Sequence, residues 1–185
     1  MRISFRDASL TVTQHRSKHD LKSFLALRGQ PSVMIGESPE RDVEFYSILV
    51  TPEIASSFSE RVIGVCAEGH GVIPQLFLLP GQEMLIVGVD QSVFGISLRA
   101  HPANLFMIRL DSLFRSFIHD KVCDILLVFH EIGVNAIGTN GQQFWNFSRD
   151  ILADVTVRGN ELTLDFMDSD RVTLDIRTGL ALATD

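Results

Sequence analysis

The chain has 185 residues, of which 45% are apolar and 21% charged. That balance is ordinary for a soluble globular protein and allows a substantial core, in one domain or two small ones. The formal net charge of −7 argues against sequence-independent nucleic-acid binding, which needs Lys and Arg to neutralise phosphates, and against attraction to anionic membranes.

The first residues, MRISFRDASL, hold no long apolar region, so no secretory signal is expected, and Met1 suggests that no leader has been removed. No apolar run approaches the roughly 18 residues of a membrane-spanning helix. Cys66 and Cys123 are too few for a disulfide framework. They are read as reduced and buried in a cytoplasmic protein. Asn146-Phe147-Ser148 fits the glycosylation pattern, which matters only in a secreted eukaryotic chain.

In chain order, Ser9 to Thr13 is a first strand. Ser17 and Asp20 resemble a helix-capping pair, Leu21, Phe24 and Leu25 form one apolar stripe, and Gly29 and Pro31 mark a stop. This predicts a helix over Lys18 to Arg28. Ser32 to Ile35, Val43 to Val50 and Arg61 to Ala67 read as strands. Thr51-Pro52 would open a further helix, with Ile54, Ala55 and Phe58 inward. Pro74 assigns its segment to an edge. Leu76 to Leu79 and Met84 to Val89 flank a turn and predict a hairpin. Leu105 to Leu110 reads as a strand. Asp111 is a suitable N-cap for a helix over Ser112 to His119, with Leu113, Phe114, Phe117 and Ile118 as its stripe.

From Asp124 to Gly179 the pattern is that of antiparallel strands. Ile125 to Phe129 is a short apolar run beside a turn signal, suiting a strand covered on both faces. Gly133 to Ile137 is its return strand, and Asn140-Gly141 marks the next turn. Gln142 to Phe147 follows, with Trp145 and Phe147 on one side and Phe144 on the other. Val155 and Val157 then share a face, as do Leu162, Leu164 and Phe166, and Val172, Leu174 and Ile176. Gly159-Asn160 and Asp168-Ser169-Asp170 are the turns between them. A period of two held over three segments means one dry and one wet sheet face, with the register fixed by burial.

Glu83 to Ser97 aligns without gaps on Asp124 to Gly138, at an offset of 41 residues. Leu85 falls on Leu126, Val87 on Val128, Val93 on Val134 and Ile96 on Ile137. The offset lies in the range of about 40–45 residues of a propeller blade. The stretch Ala136 to Phe147, AIGTNGQQFWNF, also resembles the Gly-x-x-x-Trp segment of the blade repeats in quinoprotein-type β-propellers. That resemblance implies a propeller-like repeat. The plainer expectation is two similar hairpins within a β-rich α+β fold: one compact domain, residues 1–185, with a seam near Pro80. Its antiparallel sheets would form a sandwich or curved meander with about two short helices.

Several signatures of chemistry are missing: a phosphate loop, Gly-x-Gly-x-x-Gly, Gly-x-Ser-x-Gly and paired Cys-x-x-Cys. His130-Glu131 is the most informative pair. It stands at a turn after a buried strand, a His titrates near neutrality, and an adjacent carboxylate can orient it. The aligned residues, Val89-Asp90, lack a His, so the turn does not require one. His15 and His19 have ligand-like spacing but sit among Arg16, Lys18 and Lys22, and Cys66 with His70 supplies only two ligands. Asp165, Asp168 and Asp170 cluster at a turn without the calcium-loop pattern. No metal or cofactor is expected. Trp145 at a strand edge is either a core residue or a stacking surface.

The expected function is a non-catalytic protein-interaction module, such as an adaptor, an inhibitor or an immunity-type protein. The alternatives are a small-ligand-binding β-domain and an enzyme using His130 and Glu131. Candidate binding residues are His130, Glu131, Asn140, Phe144 and Trp145. The expected partner is another protein, not nucleic acid or membrane, and an exposed edge strand leaves a homodimer open.

Overall fold

A computed structural model describes residues 1–5, 8–28, 32–37, 42–53, 58–79, 82–99 and 105–182. The first sheet contains β1 (Arg2–Ser4), β2 (Ala8–His15), β3 (Ser32–Ile35), β4 (Glu44–Pro52) and β5 (Arg61–Ala67), in the order β1-β2-β4-β5-β3. Its pairings are antiparallel except that of β3 with β5. Helix α1 (Lys18–Leu27) begins where Ser17 Oγ accepts the Asp20 N–H at 3.1 Å. It buries Leu21 and Leu25 against Phe45, Val62 and Cys66. The opposite face, with Leu10, Ile48, Val50, Ile63 and Val65, joins a larger core that includes Leu85, Val87 and Ile96.

Three meanders follow. The first is β6 (Gln75–Leu79), β7 (Met84–Val89), β8 (Ser92–Ser97) and β9 (Leu105–Arg109), paired in that order. The second is β10 (Phe114–Asp120), β11 (Ile125–His130), β12 (Gly133–Gly138) and β13 (Gln143–Ser148), also in order. The third is β14 (Leu152–Arg158), β15 (Glu161–Phe166) and β16 (Arg171–Asp175). Residues 180–182 return along β16 through a Leu174–Ala181 bridge.

The chain is thus mainly β, as the alternation predicts. The 41-residue offset reappears in the strands: β7 and β8 advanced by 41 give the bounds of β11 and β12. Glu83 and Asp124, the residues just before β7 and β11, share the left-handed backbone region, with φ of 48° and 52°.

Two expected helices are corrected. Among the described residues α1 is the one helix. Thr51 and Pro52 extend β4, and residues 54–57 of that reading lie outside the described residues. The stretch Ser112 to His119 contains β10 instead of a helix. A β-bulge at Arg115 explains the misleading spacing, because Phe114 pairs with His130 while Ser116 pairs with Phe129. The inserted residue puts Phe114 and Phe117 on one face, with ring centroids 4.5 Å apart. In a regular strand, residues three apart would face opposite ways. The strand therefore imitates the spacing of a helix.

The described chain divides into two compact units: residues 1–90 with 94–106, and residues 91–93 with 107–185. The core of the second gathers Leu127, Phe129, Val134 and Ala136 with Leu162, Leu164, Phe166, Leu174 and Ile176. Val155, Val157 and Val172 pack against it, so the faces expected for β14, β15 and β16 are the observed ones.

Candidate functional site

The chemistry-bearing side chains of the second unit separate into a buried cluster and an exposed end. His130 closes β11 and is 0% exposed. Ser112 Oγ lies 2.9 Å from His130 Nδ1 and accepts the Ile132 N–H at 3.2 Å. The hydroxyl oxygen keeps a second lone pair, so this contact forms either with Ser112 donating to Nδ1 or with Nδ1–H donating to Oγ. Asn135, on β12, is buried as well, and its Nδ2 donates to Gln143 Oε1 at 3.3 Å.

His130 Nε2 and Asn135 Oδ1 are buried without a hydrogen bond of regular geometry. Asn135 is nevertheless near enough to favour the charged imidazole, as are the Asp111 and Glu131 carboxylates. Burial outweighs all three and holds the His130 pKa below its ordinary value. His130 is therefore a neutral core residue at pH 7.

Glu131 projects into solvent from the turn that His130 precedes. The two side chains do not share an accessible cleft, which is the geometry a general base and its orienting acid would need. The Glu131 backbone, by contrast, is a junction. Its N–H donates to Leu113 O at 2.9 Å, and its carbonyl accepts the Leu152 N–H at 2.7 Å.

The other candidates lie along β13 and at the opposite end of the sheet. Asn140 Oδ1 accepts the Gln142 N–H at 3.0 Å and shapes the turn. Phe144 is 50% exposed and is the bulged residue of β13, between Trp145, which pairs with Ala136, and Gln143, which pairs with Ile137. Trp145 donates Nε1–H to Ile176 O at 2.9 Å. Its indole lies against Gly179, where an added Cβ would meet Cδ2 at 2.5 Å. This ring fastens β13 to the segment after β16.

Several residues of the metal-like spacings have other partners. His15 Nε2 lies 2.8 Å from Ser47 Oγ. Asp165 accepts from Arg171 at 2.5 Å, Asp170 pairs with Arg149, and Asp168 accepts the Asp170 N–H at 3.0 Å. Burial pushes the Cys66 thiol up to about 11, so it stays protonated. Both cysteines are unbridged, and Cys123 is half-buried.

Sequence reasoning missed the surface beside the Glu131 turn. Arg149 N–H donates to Ile132 O, and Met167 N–H donates to Ile151 O, each at 2.9 Å. Ile151 and Met167 thereby stand side by side, 54% and 66% exposed. Asp150 precedes Ile151 and Asp168 follows Met167 in the chain, and Asp170 pairs with Arg149. Exposed apolar residues outside a period-two strand were the available signal. A groove of about 250 Å³ lies between β10 and β14, lined by Arg115, Ile118, Phe129, Leu152 and Val155 among others. Arg115 crosses it to bond Leu152 O. Its volume is below the roughly 300 Å³ at which small-molecule pockets begin.

No protein-family model matches the sequence, and no curated protein matches it. Among solved structures, the chain is similar to "Crystal structure of HIRA(644-1017)", with 13% identity and a TM-score of 0.39. The match covers 60% of this chain and 38% of that one, so this chain spans well under half of that structure's length. A likeness this slight decides nothing about the present chain. Among the described residues, no helix is long and apolar enough to cross a membrane.

Proposed function

We propose that the chain is a non-catalytic protein-interaction module, and that the end of the second unit bearing Ile151 and Met167 is a contact surface. The supporting observation is that two large apolar side chains, on residues bonded through Met167 N–H and Ile151 O, are both more than half exposed, with Asp150 and Asp168 their chain neighbours. Singly exposed apolar residues are normal, whereas adjacent ones with a polar rim resemble an interface. The adjacent Asp150 and Asp168 favour a partner presenting Lys or Arg, with association slowed by salt. The burial of His130 and the exposure of Glu131 weigh against the catalytic alternative. We further propose a reducing, cytoplasmic setting, in keeping with two unbridged cysteines.

The test compares the proteins captured from native lysate by the wild type and by an Ile151→Asp, Met167→Asp variant of unchanged circular dichroism. A protein held by the wild type and released by the variant supports the reading. An identical set of captured proteins, or none with either bait, contradicts it.

A further inference from the structure

The aligned hairpin shows what the buried cluster is not needed for. At the offset of 41 residues, His130 and Asn135 fall on Val89 and Phe94, both apolar and buried. The same two-stranded plan thus closes without a polar group at either place. Burying an imidazole and an amide that lack regular hydrogen bonds at Nε2 and Oδ1 costs stability that Val and Phe do not. The polar pair does, however, tie separate segments together. Ser112 Oγ touches both Ile132 N and His130 Nδ1, and it holds the segment before β10 to the turn between β11 and β12. The Glu131 N–H to Leu113 O bond lies in the same corner.

We propose that Ser112, His130 and Asn135 form an acid-released clasp, in which protonation of His130 frees residues 111–113 from the β11–β12 turn and loosens that end of the second unit. Burial sets the direction. Neutral His130 and Ser112 Oγ share one proton across the Nδ1 contact. Once the ring is charged, both its nitrogens carry protons, Nδ1 can only donate to Ser112 Oγ, and the hydroxyl proton can no longer use Nδ1. The whole ring is 0% exposed. The imidazolium is also shut away from water, which is unfavourable without a contacting anion. Asp111 and Glu131 are the carboxylates that favour the charged ring, and both are exposed. Release of the corner lets water reach the cation.

The sign follows from linkage. His130 is depressed in the folded chain, so its contribution is complete above the unfolded value of about 6.5 and is lost as pH falls through the folded value. Within that window, opening takes up one proton, so its equilibrium rises by up to about tenfold per pH unit. The inference stands whether or not a partner docks at this end, because it is read on the free chain.

The experiment is amide exchange of the full chain from pH 7.5 to 5.0, corrected for intrinsic rates, comparing residues 125–138 with residues 84–97. Acid should raise exchange around Ile132 and Gly133 in the wild type, leave the aligned hairpin little changed, and have no such effect in His130→Gln. Global melting would not discriminate, since burial also depresses His15. Unchanged exchange at 130–133, or the same acid response in His130→Gln, would overturn the proposal. Should that variant not fold, the wild-type imidazole titration decides by NMR: a midpoint below 6.5 is expected, and one at or above it removes the clasp.

Discussion

Hairpins β7–β8 and β11–β12 follow one backbone plan and bury different chemistry. They share strand bounds at a 41-residue offset, a left-handed residue before the first strand, and apolar faces at Leu85 and Leu126 and at Val87 and Val128. They part at the far end of the hairpin. One holds Val89 and Phe94, and the other holds His130 and Asn135 with Ser112 as a third member. Shared positions therefore carry the architecture, and the differing ones carry whatever is particular to the second unit.

The comparison predicts its largest effect where the hairpins agree. Leu85→Ala and Leu126→Ala each remove a fully buried side chain and should each cost about 3–5 kcal/mol, read as urea midpoints. A large inequality between them would break the equivalence. Next is Gly133→Ser, which installs the residue found at aligned Ser92. At Gly133 a Cβ would meet Phe147 O at 2.0 Å and Ser148 Cα at 2.8 Å. Backbone would have to shift, at about 3 kcal/mol, and a neutral result would mean that β12 and β13 are less close than described. Smaller is Ser112→Ala, which leaves Ile132 N and His130 Nδ1 without their partner and should cost about 1–3 kcal/mol. Smallest is Trp145→Phe, which keeps a ring against Gly179 but deletes the bond to Ile176 O, at about 1 kcal/mol in thermal or urea unfolding.

The sequence disclosed regular structure better than irregular structure. The faces of β14, β15 and β16 were legible because Val155, Leu162 and Val172 begin clean alternations with one side wet. Helix α1 was legible because Ser17 caps it and Leu21 and Leu25 share a face. Strand β10 was misread because the bulge at Arg115 turned a two-residue period into a three-residue one. Bulges at Phe144 and Ala153 likewise interrupt β13 and β14. All three lie on edge strands of their sheets, where such irregularity discourages pairing with a second chain. At the candidate site, the sequence marks His130 at its turn, but its partner Ser112 lies 18 positions earlier in the chain. No local pattern links those two residues.

The case against a catalytic His130 depends on its being sealed inside the fold. Diethylpyrocarbonate labelling of the native chain at pH 7, mapped by mass spectrometry, tests that directly. His19 and His70, both exposed, should react readily, while His130 stays unmodified until the chain is unfolded. Labelling of His130 at the rate of His19 would show an accessible imidazole, returning it to the position of a catalytic candidate.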